Sequence, residues 1–282
     1  MSAILIDGKK VAADCKKLIA EEVSQFSGRK PGLAVIIVGN NPASRVYVNG
    51  KRKDCAECGI ESYEYALPED TTQEELIELV HRLNEDENVD GILAQLPLPD
   101  HLDADDVIYN IVPDKDVDAF HPISVGRITL GKYGFVPCTP YGVMELLNAY
   151  NIQVYGKHCV VVGRSNIVGK PMSMLLLHSN ATVTIAHSKT TDLAAITKQA
   201  DILVCAAGKR GLITADMVKE GAVVIDVSIN RNDEGKLCGD VVFDEVREKA
   251  SYITPVPGGV GPMTRVMLLQ NTITAYYNHI NK

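Results

Sequence analysis

The sequence predicts an α/β protein of two domains, each built on a parallel sheet. Apolar strand-like runs alternate with amphipathic helical stripes along the chain, the pattern of helices laid on parallel sheets. A glycine turn spanning Gly163 to Gly169 follows one such run and leads into a helix. At 282 residues the chain has room for two domains of ordinary size.

The elements follow in order. Val11, Cys15, Leu18, Ile19, Val23 and Phe26 make a helical stripe over residues 9–27, stopped by Gly28. The unbroken apolar run Leu33 to Val38 reads as a buried strand. Asn41 as N-cap and Pro42 in the first turn open a helix that ends at Cys58, with Gly59 beyond it. Ser44, Tyr47 and Lys51 are spaced by three and four on that helix and share a face. A strand near Tyr63–Leu67 precedes a capping box of Thr71 with Glu74. Gly91 to Pro97 is a third strand running into a loop, with Gln95 at its carboxyl end, where ligands of such sheets collect.

Residues 113–122 are polar and proline-bounded and read as a loop. Thr139-Pro140 opens a helix with Val143, Met144, Leu147 and Tyr150 inward, and Asn151 to Gly156 reads as a linker. Strands are expected at Cys159–Gly163, Thr182–Ala186, Ile202–Ala206 and Val223–Val227, a mononucleotide-binding layout. The Gly- and Pro-rich stretch 254–262 is a loop, and Pro262 begins a last helix.

Composition narrows the function. Hydrophobic residues at 46% and charged residues at 23% suit a soluble globular enzyme. A net charge of −8 argues against a nucleic-acid partner. No apolar run approaches the roughly 20 residues that span a bilayer, and no secretory or import signal is expected at the N-terminus. Seven cysteines without framework spacing suit a reducing, cytoplasmic setting. Cys55 and Cys58 lack a second ligand pair, so they read as two helix thiols and no metal site is expected.

The glycine turn is a G-x-S-x-x-x-G-x-P variant, and the helix that Pro171 opens offers free N–H groups to a pyrophosphate. This makes the second domain Rossmann-like. The next strand ends at His187-Ser188-Lys189-Thr190, with no carboxylate for a ribose 2′-hydroxyl. Ser188 with Arg164 or Lys189 suits a 2′-phosphate, so NADP is the expected cofactor. Tyr-x-x-x-Lys with an upstream serine also marks short-chain dehydrogenases, but those place the glycine turn first and the Tyr/Lys pair later. A non-catalytic NADP-binding protein is the other alternative, and the polar set Lys51, Gln95 and Asp118 speaks against it.

The chain resembles the bifunctional methylenetetrahydrofolate dehydrogenase/cyclohydrolase family. The matching pieces are the Val38 to Lys51 segment, Gly91-Ile-Leu-x-Gln95-Leu-Pro97-Leu-Pro99, Pro113-x-Lys115-Asp116-Val117-Asp118, Pro137-Cys-Thr139-Pro140, the Gly163 to Pro171 turn, and Pro255 to Thr264. The resemblance implies oxidation of methylenetetrahydrofolate and hydrolysis of the methenyl product in one shared cleft between the domains. It implies that Lys51 is the main catalytic group, tuned by Gln95, with Tyr47 against the folate ring and Asp118 on the pterin. Pro97, Pro257, Gly258 and Gly261 would complete the folate-binding set. Thr139, Gly163, Arg164, Ser165, Ser188, Ile229 and Thr264 would meet NADP. A homodimer joined through the cofactor domains is implied. So is a catalytic domain of residues 1–140 completed by 262–282, around a cofactor domain of 141–261. The chain departs from the family pattern at Ala119 and Ser228, where glycine is usual, and at Arg265, where a small apolar residue is usual.

Overall fold

A computed structural model describes residues 2–281. The elements run β1 (Ile4–Leu5), α1 (Gly8–Ser24), β2 (Gly32–Val38), α2 (Pro42–Cys58), β3 (Glu61–Leu67), α3 (Gln73–Glu85), β4 (Gly91–Ala94), α4 (Ala104–Asn110), α5 (Pro122–Thr129) and α6 (Cys138–Ala149). They continue with β5 (His158–Val162), α7 (Gly169–His178), β6 (Thr182–Ala186), α8 (Leu193–Thr197), β7 (Ile202–Cys205), β8 (Val223–Asp226), β9 (Asn230–Arg231), β10 (Leu237–Cys238), α9 (Phe243–Arg247), β11 (Tyr252–Ile253) and α10 (Val260–Ile280).

The chain divides into two compact units, one of Met1–Ala13 with Thr139–Thr264, the other of Asp14–Cys138 with Arg265–Lys282. The division falls inside α1, α6 and α10. The stretch 151–156 lies inside the unit that carries the glycine turn. The first residues also group with that unit, and β1 pairs in parallel with β11.

In the unit containing residues 14–138, three parallel strands lie in the order β3-β2-β4. Every residue of β2 is buried, which explains its unbroken apolar sequence. Ala34, Ile36, Val38 and Ile92 pack with Leu76, Leu79, Val80 and Leu83 of α3 in one core. The capping box sits one residue later than expected. Thr72 Oγ1 accepts from Glu75 N and the Glu75 carboxylate accepts from Thr72 N, while Thr71 is buried and donates to the Pro68 carbonyl. Asp90 is fully buried at the head of β4. It takes a two-pronged bond from Arg29 (2.6 and 2.7 Å) and one from Gly32 N, and His279 Nδ1 of α10 lies 2.8 Å away. A buried carboxylate needs this many donors to stay paired.

In the other unit, six parallel strands run β1-β11-β8-β7-β5-β6. The chain goes from β5 outward to β6 and then returns to the other side of β5 as β7. That reversal is the switch point of a Rossmann-like sheet, where a crevice opens at the carboxyl ends. Val160, Val162, Leu203, Cys205, Val224 and Ile253 form the core of this unit.

Candidate active site

The first group of site residues belongs to the unit of 14–138. Asn41 Oδ1 caps α2 by accepting from Ser44 N, and Ser44 is buried. One turn on, Tyr47 is 43% exposed. One turn further, the Lys51 Nζ donates to Gln95 Oε1 at 3.0 Å. Gln95 follows β4 directly, its N–H bonded to the Ile36 carbonyl, and its Nε2 donates to the Leu96 carbonyl at 2.8 Å. That second bond turns the amide oxygen toward Lys51. Pro97 lies two residues on, after a cis Leu96–Pro97 bond.

Asp118 reaches the same group along a bridge. Ile92 of β4 pairs with Asp116, whose carboxylate accepts from Phe120 N, His121 N and the Ser124 hydroxyl. Asn271 of α10 donates to the Val117 and Val136 carbonyls, both at 2.8 Å. The Asp118 loop is thus held on both sides. Cys138 Sγ lies 3.5 Å from Asp118 Oδ1.

Burial pushes the Lys51 ammonium below its ordinary pKa, against an opposing pull from Asp118. Burial also pushes Asp118 up, opposed by Lys51. The Cys138 thiol stands well above its usual value and stays protonated. The group therefore holds a lysine whose proton is loosened by burial, with an amide oxygen bonded to it and the Asp118 carboxylate opposing that shift. That suits proton transfer near neutrality.

Cys55 and Cys58 are buried free thiols, pushed by burial up to about 12 and about 11. Among the described residues no group of three or more His, Cys, Asp or Glu side chains is arranged to hold a metal ion.

The second group belongs to the other unit. Gly163 directly follows β5 at φ 133°, and a Cβ there would fall on the Ala206 carbonyl beyond β7. A Cβ on Gly169 would fall on the Gly163 carbonyl. Both glycines let the turn close at the switch point. Ser165 Oγ accepts from Val168 N and Gly169 N at the start of α7. A cavity of about 440 Å³ opens here, lined by Gly163, Arg164, Ser165, His187, Ser188 and Lys209 among others. Its lining holds no carboxylate. The cradle fits a dinucleotide with an extra phosphate: backbone close at the turn, hydroxyls at Ser165 and Ser188, cations at Arg164 and Lys209. Lys189, expected to share this task, is not in the lining, and Lys209 stands there instead.

The remaining expected residues of this unit lie outside that lining. Thr139 and Thr264 hydroxyls are 3.0 Å apart. Ile229 is 47% exposed and sits 3.9 Å from where a Gly261 Cβ would be. Pro257 follows a cis bond, and Gly258 has φ 111°.

The sequence matches the catalytic-domain model of the tetrahydrofolate dehydrogenase/cyclohydrolase family over residues 6–118, and that family's NAD(P)-binding-domain model over residues 137–280. The chain belongs to this family. It is 58% identical over 277 residues to the bifunctional protein FolD of Acetivibrio thermocellus, covering 98% of this chain and 97% of that one. The structure superposes with a TM-score of 0.96 on the bifunctional FolD methylenetetrahydrofolate dehydrogenase/cyclohydrolase of Campylobacter jejuni, 53% identical, covering 98% of this chain and 99% of that one. It does so at 0.95 on the Trypanosoma brucei enzyme, 43% identical and solved with NADP cofactor and inhibitor, covering the whole of both chains.

Within this family the three departures acquire structure. Ala119 is held at φ 58°, a left-handed backbone that glycine adopts more easily. Ser228 donates to Asp240 Oδ2 at 2.7 Å and accepts from Gly208 N at 3.1 Å. Asp240 in turn accepts from Ala207 N, Gly208 N and Lys209 N, so it holds the loop that lines the cavity. Sequence reasoning missed Asp240 and Lys209, since neither belongs to a recognised spacing. Arg265 pairs with Asp54 on α2.

Proposed function

We propose that this enzyme oxidises methylenetetrahydrofolate with NADP to methenyltetrahydrofolate and hydrolyses the product to formyltetrahydrofolate. The observation that carries this reading is the Lys51–Gln95–Asp118 group, set in a chain that also holds a phosphate-accepting glycine turn.

NADP supplies the hydride acceptor, and Gly163, Arg164, Ser165, Ser188 and Lys209 would hold it, with Thr139, Ile229 and Thr264 nearer its reactive end. The lining suits NADP over NAD because cations and hydroxyls stand where a ribose-binding carboxylate would be. The substrate carries a one-carbon bridge between two nitrogens. Loss of hydride from the bridge carbon leaves a methenyl cation shared by both nitrogens and releases no proton. That step needs placement, which Tyr47 beside the ring, Asp118 on the amino-pyrimidine edge, and Pro97, Pro257, Gly258 and Gly261 would give. In the second step water attacks the methenyl carbon and gives up both its protons: one ends on the nitrogen that leaves, and the other is released to solvent with the positive charge of the methenyl cation. Neutral Lys51 takes a proton from the attacking water and hands it to that nitrogen, while Gln95 Oε1 holds the amine in line.

The enzyme acts as a homodimer joined through the unit that carries the glycine turn, and it works in the cytoplasm. Support comes from the family resemblance and from seven free thiols, which suit a reducing compartment. Among the described residues no helix is long and apolar enough to cross a membrane.

The test mixes protein, methylenetetrahydrofolate and NADP and follows NADPH and methenyl absorbance together. NADPH should rise without lasting methenyl accumulation. No NADPH formation would refute the reading, and light scattering on a sizing column would check the dimer.

A further inference from the structure

Asp240 is fully buried, and its carboxylate binds five donors. Oδ2 accepts from Ala207 N at 2.7 Å, Gly208 N at 3.1 Å and the Ser228 hydroxyl at 2.7 Å. Oδ1 accepts from Lys209 N at 2.8 Å and Asn230 Nδ2 at 3.0 Å. Three successive backbone N–H groups thus close on one anion, the geometry of an anion-holding nest, with Gly208 left-handed at φ 67°. The backbone of Asp240 is fixed in turn. Its N–H donates to Asp226 Oδ1 of β8 at 3.1 Å, and its carbonyl accepts from Ile213 N at 3.0 Å. The chain can pass this close to Asp226 because residue 239 is glycine, where a Cβ would fall on the carboxylate. Asp240 itself is not in the lining of the cofactor cavity, whereas Ala207 and Lys209 are. All these residues lie in the unit that carries the glycine turn.

We propose that Asp240 is a positioning residue for the cofactor: it fills the nest of residues 207–209 from within the protein and so holds Lys209 where it meets a phosphate of NADP. Ser228 stands between the two, donating to Asp240 Oδ2 and accepting from Gly208 N at 3.1 Å. A glycine at 228 would leave both bonds unmade, so this chain carries one tether more than the usual family pattern. Asp240 touches no cofactor in this assignment and acts only through the loop. An amide cannot stand in for the carboxylate. Each oxygen receives at least one backbone N–H, so the amide nitrogen of an asparagine would meet a donor whichever way it turned. The inference rests on the reading that this cavity takes NADP.

The experiment is calorimetric titration of NADP onto full-length wild type, Asp240→Asn, Lys209→Met and the double variant. Each single variant should weaken NADP by about tenfold, the scale of one lost hydrogen bond to a charged group. Because Asp240 acts through Lys209, the double variant should be little weaker than either single one. Independent sites would instead multiply to roughly 100-fold. Unchanged affinity in either single variant, or the full product in the double, would overturn the inference; a merely structural Asp240 gives that product. If Asp240→Asn does not fold, Ser228→Ala carries the same cycle. It should weaken NADP by about threefold in the wild-type background and hardly at all beside Lys209→Met. No loss in the wild-type background, or an equal loss in both, would again overturn the proposal. A wild type that binds no NADP would refute the cofactor reading itself, and this inference with it.

Discussion

The Lys51 amine donates to the Gln95 side-chain oxygen at 3.0 Å, and Gln95 cannot turn away because its own amide nitrogen is bonded to the Leu96 carbonyl. The pair joins the middle of α2 to the carboxyl end of β4. A neutral acceptor here orients the amine without adding a charge that would hold its proton. A carboxylate at the same place would do the opposite.

Gln95→Glu should therefore trap Lys51 as the ammonium. An opposite charge at this range raises a partner by about 1–3 pKa. Lys51 is otherwise lowered by burial, so hydrolysis in the wild type should rise with pH through a value below 10.5. In Gln95→Glu that rise should move to higher pH, with a loss of at least ~10-fold at pH 7. A pH–rate profile of methenyl decay checks it.

The cofactor turn gives a second expectation. Ser188→Asp with Arg164→Ala should weaken NADP by about 1–3 kcal/mol per lost charge-assisted bond, while NAD changes less. Titration with both nucleotides reads this directly. Equal or better wild-type turnover on NAD at subsaturating cofactor would count against the NADP assignment.

Asp118→Ala should weaken folate binding and leave NADP binding alone. The carboxyl lies in the unit of residues 14–138, and the cradle belongs to the other unit. Calorimetric titration of each ligand separates the two, and an unchanged folate affinity would make Asp118 structural.

Ala119 offers a stability test. Its left-handed backbone costs roughly 1–2 kcal/mol for a residue with a Cβ. Ala119→Gly should recover up to about 1 kcal/mol, less the added freedom of glycine in the unfolded chain. Urea unfolding measures the difference.

Much of this was legible in the sequence because it is local. The run Leu33–Val38 has no polar residue, and the strand is buried throughout. Asn41-Pro42 and Gly59 bracket α2 as capping chemistry requires. The tandem Thr71-Thr72 was not decidable from spacing, since the hydroxyl of Thr71 is taken by the Pro68 carbonyl. The strand Ile4–Leu5 is too short to carry a period, and its partner Tyr252–Ile253 lies near the other end of the chain. Asp240 and Arg265 act through bonds to distant residues, and no spacing announces such partners.

The measurement closest to the central claim is the decay of added methenyltetrahydrofolate, above its spontaneous rate, with Lys51→Met beside wild type. Methionine keeps much of the lysine's volume but can carry no proton. Hydrolysis should fall by about 10²–10⁴-fold, the usual contribution of a general acid–base group, while NADP-dependent hydride transfer falls far less and methenyltetrahydrofolate accumulates. A mutant that hydrolyses as fast as wild type while hydride transfer collapses would contradict the assignment of Lys51.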